Sequence, residues 1–97
     1  MITLPQGYKV GQYTVQFFIK EGLYNGTYKV EDEKGNPFFM KFYDLSLVPE
    51  KLIIDGDILE IKHCRKINHE NVISYIDDGS MTVDGSEYRY LITNYFI

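Results

Sequence analysis

The stretch Phe38-Phe39-Met40-Lys41-Phe42-Tyr43 decides how the chain is read, because one lysine stands alone among five apolar or aromatic residues. Strand alternation puts Phe39, Lys41 and Tyr43 on one face and Phe38, Met40 and Phe42 on the other. A lysine is seldom buried without an anionic partner. Two readings of Lys41 stand side by side. Near a sheet edge, its stem covers apolar surface and its ammonium reaches water. Deeper in, it meets a carboxylate from elsewhere in the chain and the phosphates of a ligand.

Upstream, residues 1–12 carry Pro5, Gly7 and Gly11 and read as a lead-in with little regular structure. Tyr13 to Lys20 alternates, with Tyr13, Val15, Phe17 and Ile19 on one face, which is a strand signature. Glu21-Gly22-Leu23-Tyr24-Asn25-Gly26 supplies two glycines and an asparagine, residues that accept positive φ in a turn. Thr27 to Glu31 gives a second strand, and Asp32 to Pro37 a polar hairpin connection. Three strands on short loops over 13–43 form an antiparallel meander.

Downstream the period changes. Residues 44–68 carry helical signals: Ser46 as a candidate N-cap, Pro49 early, Glu50 after it. The spacing predicts a main helix starting near Asp55 or Asp57 and ending near Ile67-Asn68, interrupted or weakened at Gly56. At 100° per residue, Ile53, Glu60, Cys64 and Ile67 share a face, so a carboxylate lies within the most apolar stripe. Such a glutamate either bends out to water or meets a buried cation. Residues 72–97 then read as two strands, the first bent at Asp77-Asp78-Gly79, joined by the turn Asp84-Gly85-Ser86. The fold class expected is α+β: a five-stranded antiparallel sheet with one main helix, in a single domain.

Composition excludes several functions. Fourteen acidic residues against ten basic give a net charge of −4 with no basic run, so nucleic acid is not an expected partner. Hydrophobic residues at 44 % and aromatics at 15 % are those of a folded chain. The one cysteine, Cys64, forms no internal disulfide and, with only His63 and His69 nearby, no metal cluster. No signal peptide or membrane span is visible, and a cytoplasmic location is the expectation.

Four segments in order carry a resemblance. Residues 19–28, Ile-Lys-Glu-Gly-Leu-Tyr-Asn-Gly-Thr-Tyr, fall on a glycine-rich loop, and Lys41 falls on the lysine of a V-A-I-K strand. Residues 67–73, Ile-Asn-His-Glu-Asn-Val-Ile, look like an L-x-H-P-N-I-V segment. Residues 90–96, Tyr-Leu-Ile-Thr-Asn-Tyr-Phe, are similar to Y-L-V-x-E-Y-V. From about residue 11 to 97 the chain resembles the N-terminal lobe of a protein kinase, from its first strand to its hinge.

The resemblance implies ATP as ligand, with magnesium in a longer parent chain, and a protein substrate there. It places Lys41 on the α- and β-phosphates, with Glu60 holding it, as the catalytic pair. Gly22, Asn25 and Gly26 would carry the phosphate loop, approaching through backbone N–H groups. Ile19, Thr27 and Phe39 would flank adenine, Ile73 and Thr93 would line the back, and Asn94 and Phe96 would read its edge. The function implied is the nucleotide-binding lobe of a serine/threonine-type kinase. The alternative is a non-catalytic, pseudokinase-like regulatory module.

Departures from the family pattern are specific. Lys20 stands where the first loop glycine is expected, Asn25 where the third is, and Glu70 where a proline follows the histidine. Phe39 replaces the alanine of V-A-I-K, and its ring points where adenine should lie. No H-R-D or D-F-G motif occurs in these 97 residues. The expectation is therefore a fragment that is inert alone, whose partner is a missing C-terminal lobe. Its exposed cleft face, with Phe96 and Ile97, is expected to drive self-association.

Overall fold

A computed structural model of the chain describes residues 2–66 and 74–95. Strands β1 (Lys9–Val10), β2 (Tyr13–Glu21), β3 (Asn25–Glu31) and β4 (Pro37–Asp44) form an antiparallel meander. The strands β7 (Tyr75–Val83) and β8 (Ser86–Asn94) form a hairpin, and β8 inserts beside β4. The sheet order is β1-β2-β3-β4-β8-β7. Between β4 and β7 lie two single 3-10 turns (Leu45–Leu47, Glu50–Leu52), a two-stranded ribbon of β5 (Ile53–Ile54) and β6 (Asp57–Ile58), and helix α1 (Leu59–Lys66).

The sheet therefore has six strands where five were expected. The addition is β1, inside the lead-in, where Gly11 at φ +59 makes the reversal that pairs Val10 with Tyr13. The segment before the helix also differs. Asp55 (φ 53) and Gly56 (φ 79) form a two-residue turn joining β5 to β6, so neither Asp55 nor Asp57 starts the helix. An Asp-Gly pair between short apolar runs is a hairpin signal, and here it overrode the helical one. Ser46 is not a cap either: the Asp44 side chain accepts from the Ser46 backbone N–H at 3.0 Å and its hydroxyl at 2.6 Å.

Two cores lie on opposite sheet faces, and the alternation of β4 divides them. Met40 and Phe42 enter the first core with Val10, Tyr13, Val15, Tyr28, Val30, Tyr88 and Ile92. The Phe42 and Tyr88 rings stack there, 4.8 Å apart with planes 12° off parallel. Leu4 closes this core, its N–H donating to the Tyr28 hydroxyl at 2.9 Å. Tyr43 enters the second core with Val48, Ile58, Ile61 and Leu91, beneath α1. β2 breaks its own alternation: register shifts at Gln16 and Ile19 leave Phe17, Phe18 and Ile19 all exposed. β7 runs on through Asp77-Asp78-Gly79 without the expected bend, its irregularity falling instead at Ile76. The start of that strand at Val72 and the helix end at Ile67-Asn68 lie outside the described residues.

Candidate functional site

Lys41 is central in β4, and its face of the sheet carries the candidate site. Direct pairing sets Thr27 opposite Lys41, Lys29 opposite Phe39, and Phe39 opposite Thr93, so these side chains share one face. From α1, Glu60 comes over this face. Lys41 Nζ lies 2.6 Å from Glu60 Oε2, a tertiary contact between positions nineteen apart. The Tyr43 hydroxyl donates to the other carboxylate oxygen, Oε1. The carboxylate is thus held at both oxygens by one strand.

The electrostatics follow from that clamp. Partial burial pulls the Glu60 carboxyl up, but the hydrogen bonds from Lys41 and Tyr43, with the Lys41 charge, outweigh it, and its pKa falls below the ordinary value. Burial, and then the adjacent Glu60, push the Tyr43 hydroxyl far up, so it stays a donor. One turn on, burial and the Glu60 charge raise the Cys64 thiol. Glu60 is therefore ionised at neutral pH. It is set to hold an ammonium still, and the Lys41 side chain keeps 36 % of its surface exposed.

The other expected site residues divide. Thr27 and Thr93 are buried on the site face, Ile19 is exposed beside a bulge, and Phe39 is half-buried. Ile73 and Phe96 lie outside the described residues. The Asn94 side chain accepts from the Ser74 N–H at 2.8 Å, and its own N–H donates to Ser74 at 3.2 Å, which fixes the end of β8. In the β2–β3 hairpin, the Gly22 N–H donates to the Asn25 carbonyl at 2.7 Å. Contrary to expectation, none of Gly22, Asn25 and Gly26 takes a positive φ. Gly26 is small for a packing reason: a Cβ there would meet the Tyr28 ring at 3.1 Å and Phe18 at 3.5 Å. The Tyr24 carbonyl accepts from the Asp44 N–H at 3.1 Å, tying the hairpin tip to the end of β4.

Two features escaped the sequence. Tyr43 as second support for Glu60 had a readable signal, since it lies two residues from Lys41 on the same strand face. The partner of Phe39 had none: its ring packs on Tyr95, centroids 4.6 Å apart, and Lys29 Nζ stands 5.9 Å above the Tyr95 ring. A cavity of about 310 Å³ opens between Tyr24, Tyr43, Val48, Leu59 and Glu60, but none of Ile19, Thr27, Phe39 and Thr93 lines it. Among the described residues no group of three or more His, Cys, Asp or Glu could hold a metal, and no helix is long and apolar enough to cross a membrane.

No protein-family model and no curated protein matches the sequence. Solved structures do match. The apo form of PpkA-294 has a TM-score of 0.67 at 17 % identity, over 97 % of this chain and 39 % of that one. The MAP kinase LmaMPK10 from Leishmania major has a TM-score of 0.61 at 25 % identity, over 87 % of this chain and 27 % of that one. The chain thus spans well under half the length of either.

Proposed function

We propose, starting from a fold that is that of the N-terminal lobe of protein kinases, that this chain is the nucleotide-binding lobe of a serine/threonine-type kinase. The observation that carries the reading is the Lys41–Glu60 contact at 2.6 Å, braced by Tyr43. Phosphoryl transfer asks of this half of an enzyme chiefly positioning and charge: a cation fixed over the α- and β-phosphates of ATP. Lys41 suits that task because Glu60 holds it without covering it. Gly22 and the backbone around Asn25 would face the phosphates from the hairpin.

At the adenine end the fit is narrower. Phe39 and Tyr95 pack together on the site face beside Thr93. The purine must enter against or displace the Phe39 ring, which favours weak binding by this chain alone. Magnesium ligands, the catalytic base and the protein substrate site would come from a longer parent chain. A regulatory module without catalysis is the outcome if nucleotide never binds.

The test has two parts. The sequence following Ile97 is read for H-R-D and D-F-G motifs, and the longer protein is assayed for transfer of the ATP γ-phosphate to protein. Lys41→Met is expected to lower that transfer by roughly a hundredfold or more. Absence of both motifs, together with no ATP binding by the Phe39→Ala variant, overturns the proposal.

A further inference from the structure

The described part of helix α1, Leu59–Lys66, buries one side chain completely, Ile61, and packs Cys64 partly against the same core. Most of a helix's stability in a protein comes from packing its apolar face. A core contact this narrow fixes the depth of the described helix on the sheet more firmly than its rotation or tilt. Yet Glu60 meets Lys41 only if both are fixed. Something else must orient the helix.

At its far end stands a closed ring of four charges. Arg65, on α1, places Nε 2.8 Å from Asp78 Oδ2 and Nη2 2.7 Å from Asp78 Oδ1, a two-point fork onto β7. Its Nη2 also lies 2.9 Å from Asp57 Oδ2 on β6. Arg89, on β8, closes the ring, with Nη2 2.8 Å from Asp78 Oδ1 and Nη1 on Asp57 Oδ1. Arg89 Nε is held at 2.9 Å by the Gly79 carbonyl, and the Tyr75 hydroxyl donates to Asp78. Asp57, Asp78 and Arg89 have side chains only 15 %, 11 % and 14 % exposed. The charges balance two against two, and the arginine fork fixes direction as well as distance.

We propose that Arg65, gripped by Asp57 and Asp78 and backed by Arg89, is the positioning residue that sets Glu60 against Lys41. Its use, though not its geometry, rests on the nucleotide-lobe reading. Glu60 and Arg65 are five positions apart, about 7.5 Å along the axis and about 140° around it. Two attachments so placed stop the helix from sliding and from turning. An ordinary surface ion pair would add a little stability and orient nothing.

The experiment is a carboxyl-carbon NMR titration of Glu60 in the folded 97-residue chain and in the variants Arg65→Met and Asp78→Asn. The groups facing Glu60 are Lys41 and Tyr43 from β4, with Cys64 and His63 on its own helix. With the helix displaced, Glu60 loses Lys41 and Tyr43, and its pKa is expected to return to the ordinary value of about 4.3 in both variants. Direct charge effects differ in sign: losing the Arg65 cation raises Glu60, whereas losing the Asp78 anion lowers it. A rise in both variants therefore identifies displacement. An unchanged Glu60 in both, or shifts of opposite sense, overturns the proposal.

If either variant fails to fold, Arg65→Lys carries the test, since it keeps the charge and loses the fork. An intermediate rise supports the proposal and no rise overturns it. No nucleotide enters this measurement. The Glu60 shifts, found together with absence of both motifs and no ATP binding by the Phe39→Ala variant, defeat the proposed function alone. ATP binding without the shifts defeats only this inference.

Discussion

The rings of Phe39 and Tyr95 pack with centroids 4.6 Å apart and planes tilted by 46°. Phe39 lies two residues before Lys41 on the same strand face, and its direct partner across β8 is Thr93. An aromatic pair thus sits beside Lys41 on the same sheet face, toward the end of β8. If the pair narrows the purine slot, Phe39→Ala should tighten ATP binding at least roughly tenfold, about 1.4 kcal/mol, by titration calorimetry. The same variant should lose about 2 kcal/mol of stability, less than for a fully buried phenylalanine. Unchanged affinity would mean that the ring does not obstruct the slot.

The depressed pKa of Glu60 sets the sign of a pH dependence. Its stabilising contribution is complete above the ordinary carboxylate pKa and is lost as pH falls through the lower folded-state value. Lys41 and Glu60 side chains are 36 % and 47 % exposed, so the pair is worth only about 0.5–1 kcal/mol. Lys41→Met should therefore be less stable than the parent chain by that amount at about pH 7 and equal to it at about pH 2. Urea denaturation at the two pH values measures it, and a difference independent of pH would refute the assignment.

Ile61 is the one side chain of α1 that is fully buried, and it joins the second core beside Tyr43 and Leu91. Ile61→Ala is expected to cost about 2–4 kcal/mol. In a domain of this size that lowers the melting temperature by roughly 10 °C or more. Calorimetry checks it. A drop of only a degree or two would mean that the helix is hardly held by its core contact.

Gly79 sits within β7, where a strand normally favours a side chain. A Cβ there would fall inside the van der Waals shell of the Tyr90 hydroxyl and ring. Gly79→Ala should destabilise by about 1–3 kcal/mol through overpacking. Combining it with Tyr90→Leu should recover part of that loss, since the obstructing ring is then gone. If the double variant is no better than the single one, the glycine answers to backbone conformation instead.

The sequence showed the meander, the face on which Lys41 points and a carboxylate in the apolar stripe of the helix, because periods of 2 and 3.6 are local properties of a chain; that this carboxylate meets Lys41 came from the family resemblance alone. The sequence misled where two local signals overlapped. Asp55-Gly56 is both a plausible helix lead and a hairpin turn, and only tertiary pairing of Ile53 with Ile58 decides between them. Strict alternation puts Phe17 and Ile19 on one face with the buried Tyr13 and Val15, yet both are exposed, because register shifts break the alternation without altering composition. Contacts such as Phe39 with Tyr95 or Arg65 with Asp78 join distant segments, and no spacing rule encodes them.

The place of β8 between β4 and β7 bears on how the protein comes off the ribosome. The strand is shared: Ile92 completes the first core and Leu91 the second. Among the described residues β7 has no neighbour in the sheet except β8. A nascent chain released only as far as Val83 can zip β2, β3 and β4 together, since their turns are short. It has nowhere to lay β7, and both greasy faces stay half open. Vectorial synthesis therefore carries this domain no further than the meander, and its two halves lock together only when Ser86–Asn94 emerges. Until that moment the strand Pro37–Asp44, Lys41 included, is a bare sheet edge, the surface that chaperones exist to cover.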